Sequence, residues 1–68
     1  METITDRLNR RSLELNVSQA DIIRATGAGR GTVSGWFSGA NAPSAKYLES
    51  LAVALKTSTT WLLSGKDD

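Results

Sequence analysis

The 68-residue sequence contains neither cysteine nor histidine. Those two absences remove disulfide staples, thiolate nucleophiles, imidazole acid–base groups and the usual zinc ligands together. Proline occurs once, at Pro43, so almost nothing forbids helix along the chain. No apolar run exceeds a few residues, which is too short to span a bilayer, and the first residues lack the apolar stretch of a signal peptide. A cytoplasmic chain is expected. Clustered carboxylates and a glycine-rich loop with a phosphate-binding lysine are also missing, so an enzyme would lack its working parts. Neither a cofactor nor a metal is expected.

A strong excess of one sign of charge is absent too. Eight Lys and Arg against seven Asp and Glu leave a formal charge of +1, far from the basic surplus that announces a nucleic-acid binder by itself. Distribution matters more than the sum. Arg7, Arg10, Arg11, Arg24 and Arg30 fall in the first half, while Asp67 and Asp68 end the chain. Local basic patches are compatible with this arrangement.

What is present is helical punctuation. Glycine and proline cut the chain into five segments rich in helix formers, none with the strict alternation of a half-buried strand, so the fold class is all-α in one domain over 1–68. The first helix is predicted from Thr3 to Leu15, with Ile4, Leu8, Ser12 and Leu15 on one stripe, Leu13 off it, and Asn16 as a left-handed cap. Ser18 is a good N-cap, backed by Asp21 as a shorter capping-box acid, for a second helix that ends at Thr26 before Gly27. After Gly27, Ala28 and Gly29, a third helix runs from Arg30 to Ser38 with Val33, Trp36 and Phe37 inward. Gly39 to Pro43 form a loop. Ser44 caps a fourth helix whose core side carries Tyr47, Leu48, Leu51, Ala52 and Leu55, and Ser58 caps a short last helix, Thr59 to Leu63, closed by Gly65.

From Gln19 to Ser38 this pattern reads as helix, three-residue turn and helix, the layout of a helix-turn-helix. The order of residues resembles the Cro and C1 family of phage repressors over nearly the whole chain. The resemblance rests on Ser18-Gln19, Gly27 at the turn, Val33 inside the second helix of the motif, Gly39 after it, Leu51 to Leu55, and Trp61-Leu62-Leu63. It implies a five-helix DNA-binding domain that binds double-stranded operator DNA as a homodimer. Two departures stand out. Ile23 occupies a position where the family commonly has alanine and its helices cross closely, which implies a wider crossing. Ser12 and Phe37 stand where many relatives carry a buried Arg–Glu pair, and losing both partners together avoids stranding a charge worth roughly 3–5 kcal/mol.

The resemblance also implies a site. Gln19, at the start of the second helix, is placed to face a phosphate or brace Arg30, and Arg30 opens the recognition helix, where its planar fork suits O6 and N7 of guanine. Gly29, Gly31 and Gly35 would allow close backbone approach, with Gly31 and Gly35 one turn apart on the exposed face, and Thr32 and Ser34 offer hydroxyls to phosphate or base. Ser38 and Asn41 fall where the family's loop follows the phosphates, and Lys46, unfavourable for the dipole at the start of the fourth helix, is explained by a nearby phosphate. Arg10 and Arg11 are further candidates for backbone contact. Trp61 is placed by the resemblance at the subunit contact, though it can equally close the core under the first and fourth helices. A regulator of antitoxin type, binding a protein partner with DNA second, remains open because the charge is so nearly balanced. Both a complete Cro-like protein and the N-terminal domain of a longer repressor fit the pattern.

Overall fold

The computed structural model describes residues 2–66, so the acidic pair Asp67 and Asp68 lies outside the described residues. Five helices follow one another: α1 (Ile4–Leu15), α2 (Gln19–Thr26), α3 (Arg30–Ser38), α4 (Ala45–Ala54) and α5 (Thr59–Ser64). There is no strand among the described residues, and no helix there is long and apolar enough to cross a membrane.

The ends of the helices follow from local chemistry. Thr3 is the N-cap of α1 rather than its first residue: its hydroxyl accepts the Asp6 N–H at 3.2 Å, and the Asp6 carboxylate accepts the Thr3 N–H at 2.9 Å. Ser18 and Asp21 make the same reciprocal pair at the start of α2, at 3.1 and 2.9 Å. Asn16 ends α1 with φ 57°, and Gly27 ends α2 with φ 74°, a left-handed turn that lets α3 begin only three residues later. The last helix runs one residue past Leu63, to Ser64, before Gly65.

These caps carry a pH dependence. Backbone N–H donation from Thr3 and Ser18, assisted by their hydroxyls, holds the Asp6 and Asp21 carboxyls below the ordinary aspartate range, and the Arg24 guanidinium adds to the effect at Asp21. A carboxyl depressed in the folded state stabilises above its unfolded value near 3.9, and that contribution disappears as pH falls through the folded value. With no histidine to titrate, the melting temperature should stay flat from about pH 5 to 8 and fall below about pH 4. Asp6→Asn combined with Asp21→Asn should flatten the acid limb in thermal melts; an unchanged limb would place its origin elsewhere.

The core is assembled from one or two residues of each helix, Ala28 of the turn and Leu55 just after α4. Leu8, Ile22, Ala28, Val33, Trp36, Leu51, Ala52, Leu55 and Leu62 are buried, with Ile4, Val17, Ile23, Phe37, Tyr47, Ala54 and Trp61 partly buried around them. Trp36 and Tyr47 meet with ring centroids 5.5 Å apart, joining α3 to α4. Ile23 lies half-buried at the edge of this cluster. α2 packs on both α3 and α4, while α1 packs on α3 and α5. The helix-turn-helix is therefore held from two sides.

Two positions show how the fold closes with Ser12 and Phe37 where the resemblance implies an Arg–Glu pair. Phe37 is half-buried against the core, and the Asn9 amide donates to the carbonyls of Thr5 and Phe37 at 2.9 Å each, tying α1 to the end of α3. Ser12 is buried, and its hydroxyl has no partner among the described residues. An unpaired buried hydroxyl destabilises, so Ser12→Ala should stabilise the domain by about 1 kcal/mol and raise its melting temperature by roughly 4–8 °C. Calorimetry that showed a loss instead would mean that the hydroxyl is bonded in solution.

Candidate nucleic-acid interface

The site is the side of α3 turned away from the core. Val33 and Trp36 are buried and Phe37 half-buried on one side, which leaves Arg30, Gly31, Ser34, Gly35 and Ser38 on the other and Thr32 at its margin. Arg30 is exposed and makes no hydrogen bond or ion pair among the described residues. Its fork is thus unspent, unlike those of the arginines on α1. Thr32 and Ser34 are exposed as well, and both hydroxyls are unengaged there.

Three helix N-termini differ in how they are finished. At α2 the Ser18–Asp21 box occupies the N–H of Asp21 and leaves those of Gln19 and Ala20 without a partner among the described residues. Gln19 is exposed and forms no hydrogen bond with Arg30, so the bracing role is not realised in the free chain. At α3 the N-cap is Gly29 and at α4 it is Ser44, and neither supplies a side-chain cap. Uncapped N–H groups at both helices present the positive end of the dipole to solvent. Lys46, in the first turn of α4, is exposed with its ammonium 5.3 Å from the Tyr47 ring.

The expectation of two exposed glycines one turn apart needs correction. Gly31 is open, with nothing within 4 Å of the place a Cβ would take, but Gly35 is buried. Its cover comes from the loop after α3, not from the core: a Cβ on Gly35 would stand 2.2 Å from Asn41 Nδ2. The Gly35 carbonyl gathers that loop, accepting the N–H of Gly39 at 3.0 Å, the N–H of Asn41 at 3.1 Å and the Ser38 hydroxyl at 3.3 Å. The Ser38 hydroxyl proton is thereby used inside the loop. Asn41 remains exposed, and its side-chain amide has no hydrogen-bond partner among the described residues.

The arginines of α1 are all engaged within the chain. Arg11 donates from Nε to the Leu55 carbonyl at 2.8 Å and from Nη2 to the Lys56 carbonyl at 3.0 Å, capping the end of α4. Arg7 does the same for α5, through Leu62 and Leu63. Arg10 pairs with the Glu2 carboxylate and lies 5.7 Å from the Trp61 ring centroid. Sequence reasoning had no signal for the carbonyl partners of Arg7 and Arg11 at the ends of α5 and α4, which lie 44 to 56 residues away in the chain.

Trp61 is half-buried, and its neighbour Leu62 is the residue of α5 that is fully inside. Beside Trp61 opens a groove of about 510 Å³ lined by Arg10, Arg11, Glu14, Lys56, Ser58 and Trp61. Half-buried Trp61 therefore lines a surface groove, with the Arg10 guanidinium beside its ring.

A helix-turn-helix family model matches residues 8–62. The chain belongs to the helix-turn-helix family. The match takes in α2, α3 and α4 entire and most of α1 and α5, from Leu8 in α1 to Leu62 in α5. Among solved structures, the chain is similar to the P22 c2 repressor protein, crystallised in complex with synthetic operator 9T in the presence of Tl⁺. The two are 26% identical, the likeness covers 97% of this chain and 100% of that one, and the TM-score is 0.87. No curated protein matches the chain. The resemblance to the Cro and C1 repressors and the all-α five-helix fold are both borne out.

Proposed function

We propose that this helix-turn-helix chain is a sequence-specific DNA-binding regulator of the phage-repressor kind, not an enzyme. It binds operator DNA by laying α3 in the major groove, with the domain spanning residues 1–68. The observation that carries this reading is the outward face of α3: no large apolar side chain, an unpaired Arg30, and free hydroxyls at Thr32 and Ser34. Gly31 and Gly35 each cost about 1 kcal/mol of helix propensity relative to alanine, and the small, polar outward side they leave matches what a groove requires. The P22 c2 repressor, bound to its operator, shows the same backbone arrangement in use.

The roles divide by chemistry. Arg30 reads guanine; Thr32 and Ser34 contact phosphate or base edges; open Gly29 and Gly31 let the backbone come close. Gln19, with the free N–H groups at the start of α2, takes one phosphate, and Lys46 with the uncapped start of α4 takes another. Ser38 shapes the loop between them. Such a regulator acts in the cytoplasm, where its DNA is.

One recognition helix spans too few base pairs for useful specificity, so the functional unit is a dimer on a two-fold-symmetric site, with half-site centres roughly 34–36 Å apart. The Trp61 surface and its groove form the subunit contact. A patch of this size supports only weak association, so the free chain should be mostly monomeric and pair on DNA. Selection from random duplexes, followed by footprinting, tests the whole reading. Paired half-sites in phase and an affinity that falls steeply with salt are expected. An isolated half-site occupied at full affinity would remove the dimer, and binding indifferent to salt would favour a protein partner over DNA.

A further inference from the structure

α3 has little of its own to fix its direction. It has nine residues, two of them glycine, and its N-cap Gly29 supplies no side-chain bond. Isolated helices shorter than about 12–15 residues are marginal in water, and each glycine costs about 1 kcal/mol relative to alanine, so the orientation of α3 is set by what fastens it. Buried Val33 and Trp36 hold its middle. Its far end is held by α1. The Asn9 carboxamide donates to the Phe37 carbonyl at 2.9 Å and to the Thr5 carbonyl of its own helix at 2.9 Å, so the amide is fixed from two sides. No backbone N–H reaches the Phe37 carbonyl among the described residues, because that of Asn41, four residues on, bonds to the Gly35 carbonyl instead. Asn9 thus makes the one hydrogen bond between α1 and α3 among the described residues. One turn before it, the Thr5 side chain stands 3.8 Å from the place a Cβ on Gly39 would take, which seats the same side of α1 against the end of α3.

We propose that Asn9 is a positioning residue for DNA recognition, setting the tilt of α3 and so delivering Arg30 to its base. Arg30 and Phe37 lie on opposite sides of Val33, about 4.5 and 6 Å from it along the helix axis. With the middle of α3 clamped in the core, a shift of the Phe37 end returns at Arg30 in the opposite direction and at comparable size. A bidentate pair with guanine needs two hydrogen bonds aligned at once, so it is broken by a displacement that a single phosphate contact absorbs. Asn9 touches no base in this arrangement; it acts through the backbone of α3. This role rests on the DNA-binding reading above and adds to it a residue of α1, outside the helix-turn-helix itself.

The test is a double-mutant cycle in the full chain between Asn9→Ala and Arg30→Ala, with Asn9→Leu as a variant of similar size that lacks the donors. Affinities are measured well below the melting temperature on the selected operator, on an operator with the guanine replaced, and on random duplex at several salt concentrations. Asn9→Ala and Asn9→Leu should each reduce discrimination at the guanine by about tenfold per half-site, leaving affinity for random duplex and the salt slope unchanged. In the Arg30→Ala background neither should reduce discrimination at that base further, since the group being positioned is gone. A loss equal on all sequences, and undiminished in that background, would make Asn9 a phosphate contact and overturn the role. Unchanged discrimination alongside a lowered melting temperature would overturn it too, because a brace for stability alone produces that result. Should the unaltered chain prefer no sequence, the DNA-binding reading fails and the role with it, and that control separates the two failures. Both variants put a better helix former than asparagine into α1, which offsets part of the lost tie; if Asn9→Ala still unfolds the domain, Asn9→Leu decides alone.

Discussion

Arg30→Ala is expected to weaken binding at the preferred site by roughly 1–3 kcal/mol per half-site and to erase the preference for one guanine in each half. The size of the effect follows from how little else the start of α3 offers. Gly31 has no side chain, Thr32 and Ser34 are short, and only Arg30 carries a long planar group with all its donors free. In a dimer the loss counts twice, which brings it to about 2–6 kcal/mol on a full site. Lys46 supplies the contrast. It sits at the uncapped start of α4 as a point charge, so Lys46→Ala should lower affinity for every sequence alike and reduce the salt slope by about one unit. Titrations on the selected operator, on a guanine-substituted operator and on random duplex separate the two behaviours. A uniform loss for Arg30→Ala would reduce Arg30 to a phosphate contact and leave sequence to be read from DNA shape.

How much of this was legible in the sequence depends on how far each interaction reaches along the chain. Ser18 with Asp21, Asn16, Gly27 and Gly39 act within four residues of themselves, and their residue types name their conformations; the helix boundaries came out accordingly. The apolar stripe of α4 and the inward face of α3 were readable for the same reason, since burial repeats with the helix turn. Thr3 is ambiguous in the sequence between the first residue of α1 and its cap, because a threonine fits either role until the Asp6 carboxylate returns to its N–H. The burial of Gly35 is illegible for a different reason: the spacing of its own helix puts it on the exposed face, and its cover comes from Asn41 in the loop after α3. Arg7 and Arg11 are the clearest limit. Nothing in the spacing of α1 says that two arginines there are consumed by the carbonyl ends of α5 and α4. The family resemblance points to α3 and Arg30 as the DNA reader, and the structure adds that the Arg30 guanidinium is unpaired among the described residues whereas Arg7, Arg10, Arg11 and Arg24 are engaged within the chain.

Arg7 carries the largest expected effect on stability. Its side chain is buried, and the guanidinium donates from Nε to the Leu62 carbonyl at 2.8 Å, from Nη2 to the Leu63 carbonyl at 3.0 Å and from Nη1 to the Glu2 carbonyl at 3.3 Å. The Leu62 and Leu63 carbonyls belong to the last turn of α5, where a helix has unpaired acceptors and the negative end of its dipole. With six residues, α5 is too short to persist alone and depends on being fastened to α1. Arg7→Ala leaves the acceptors in a buried place without donors and opens a cavity, so a loss of about 3 kcal/mol is expected, a fall in melting temperature on the order of 15 °C. Arg7→Met separates the two causes, because it keeps an apolar stem and removes only the donors; most of the loss should remain. The functional consequence is specific. Since α5 carries Trp61, loosening it should abolish paired occupancy of the two half-sites while a single half-site still shows the guanine preference set by Arg30. If Arg7→Met melts with the unaltered chain, the carbonyl end of α5 is satisfied by water in solution and the attachment of α5 must come from Leu62 packing alone.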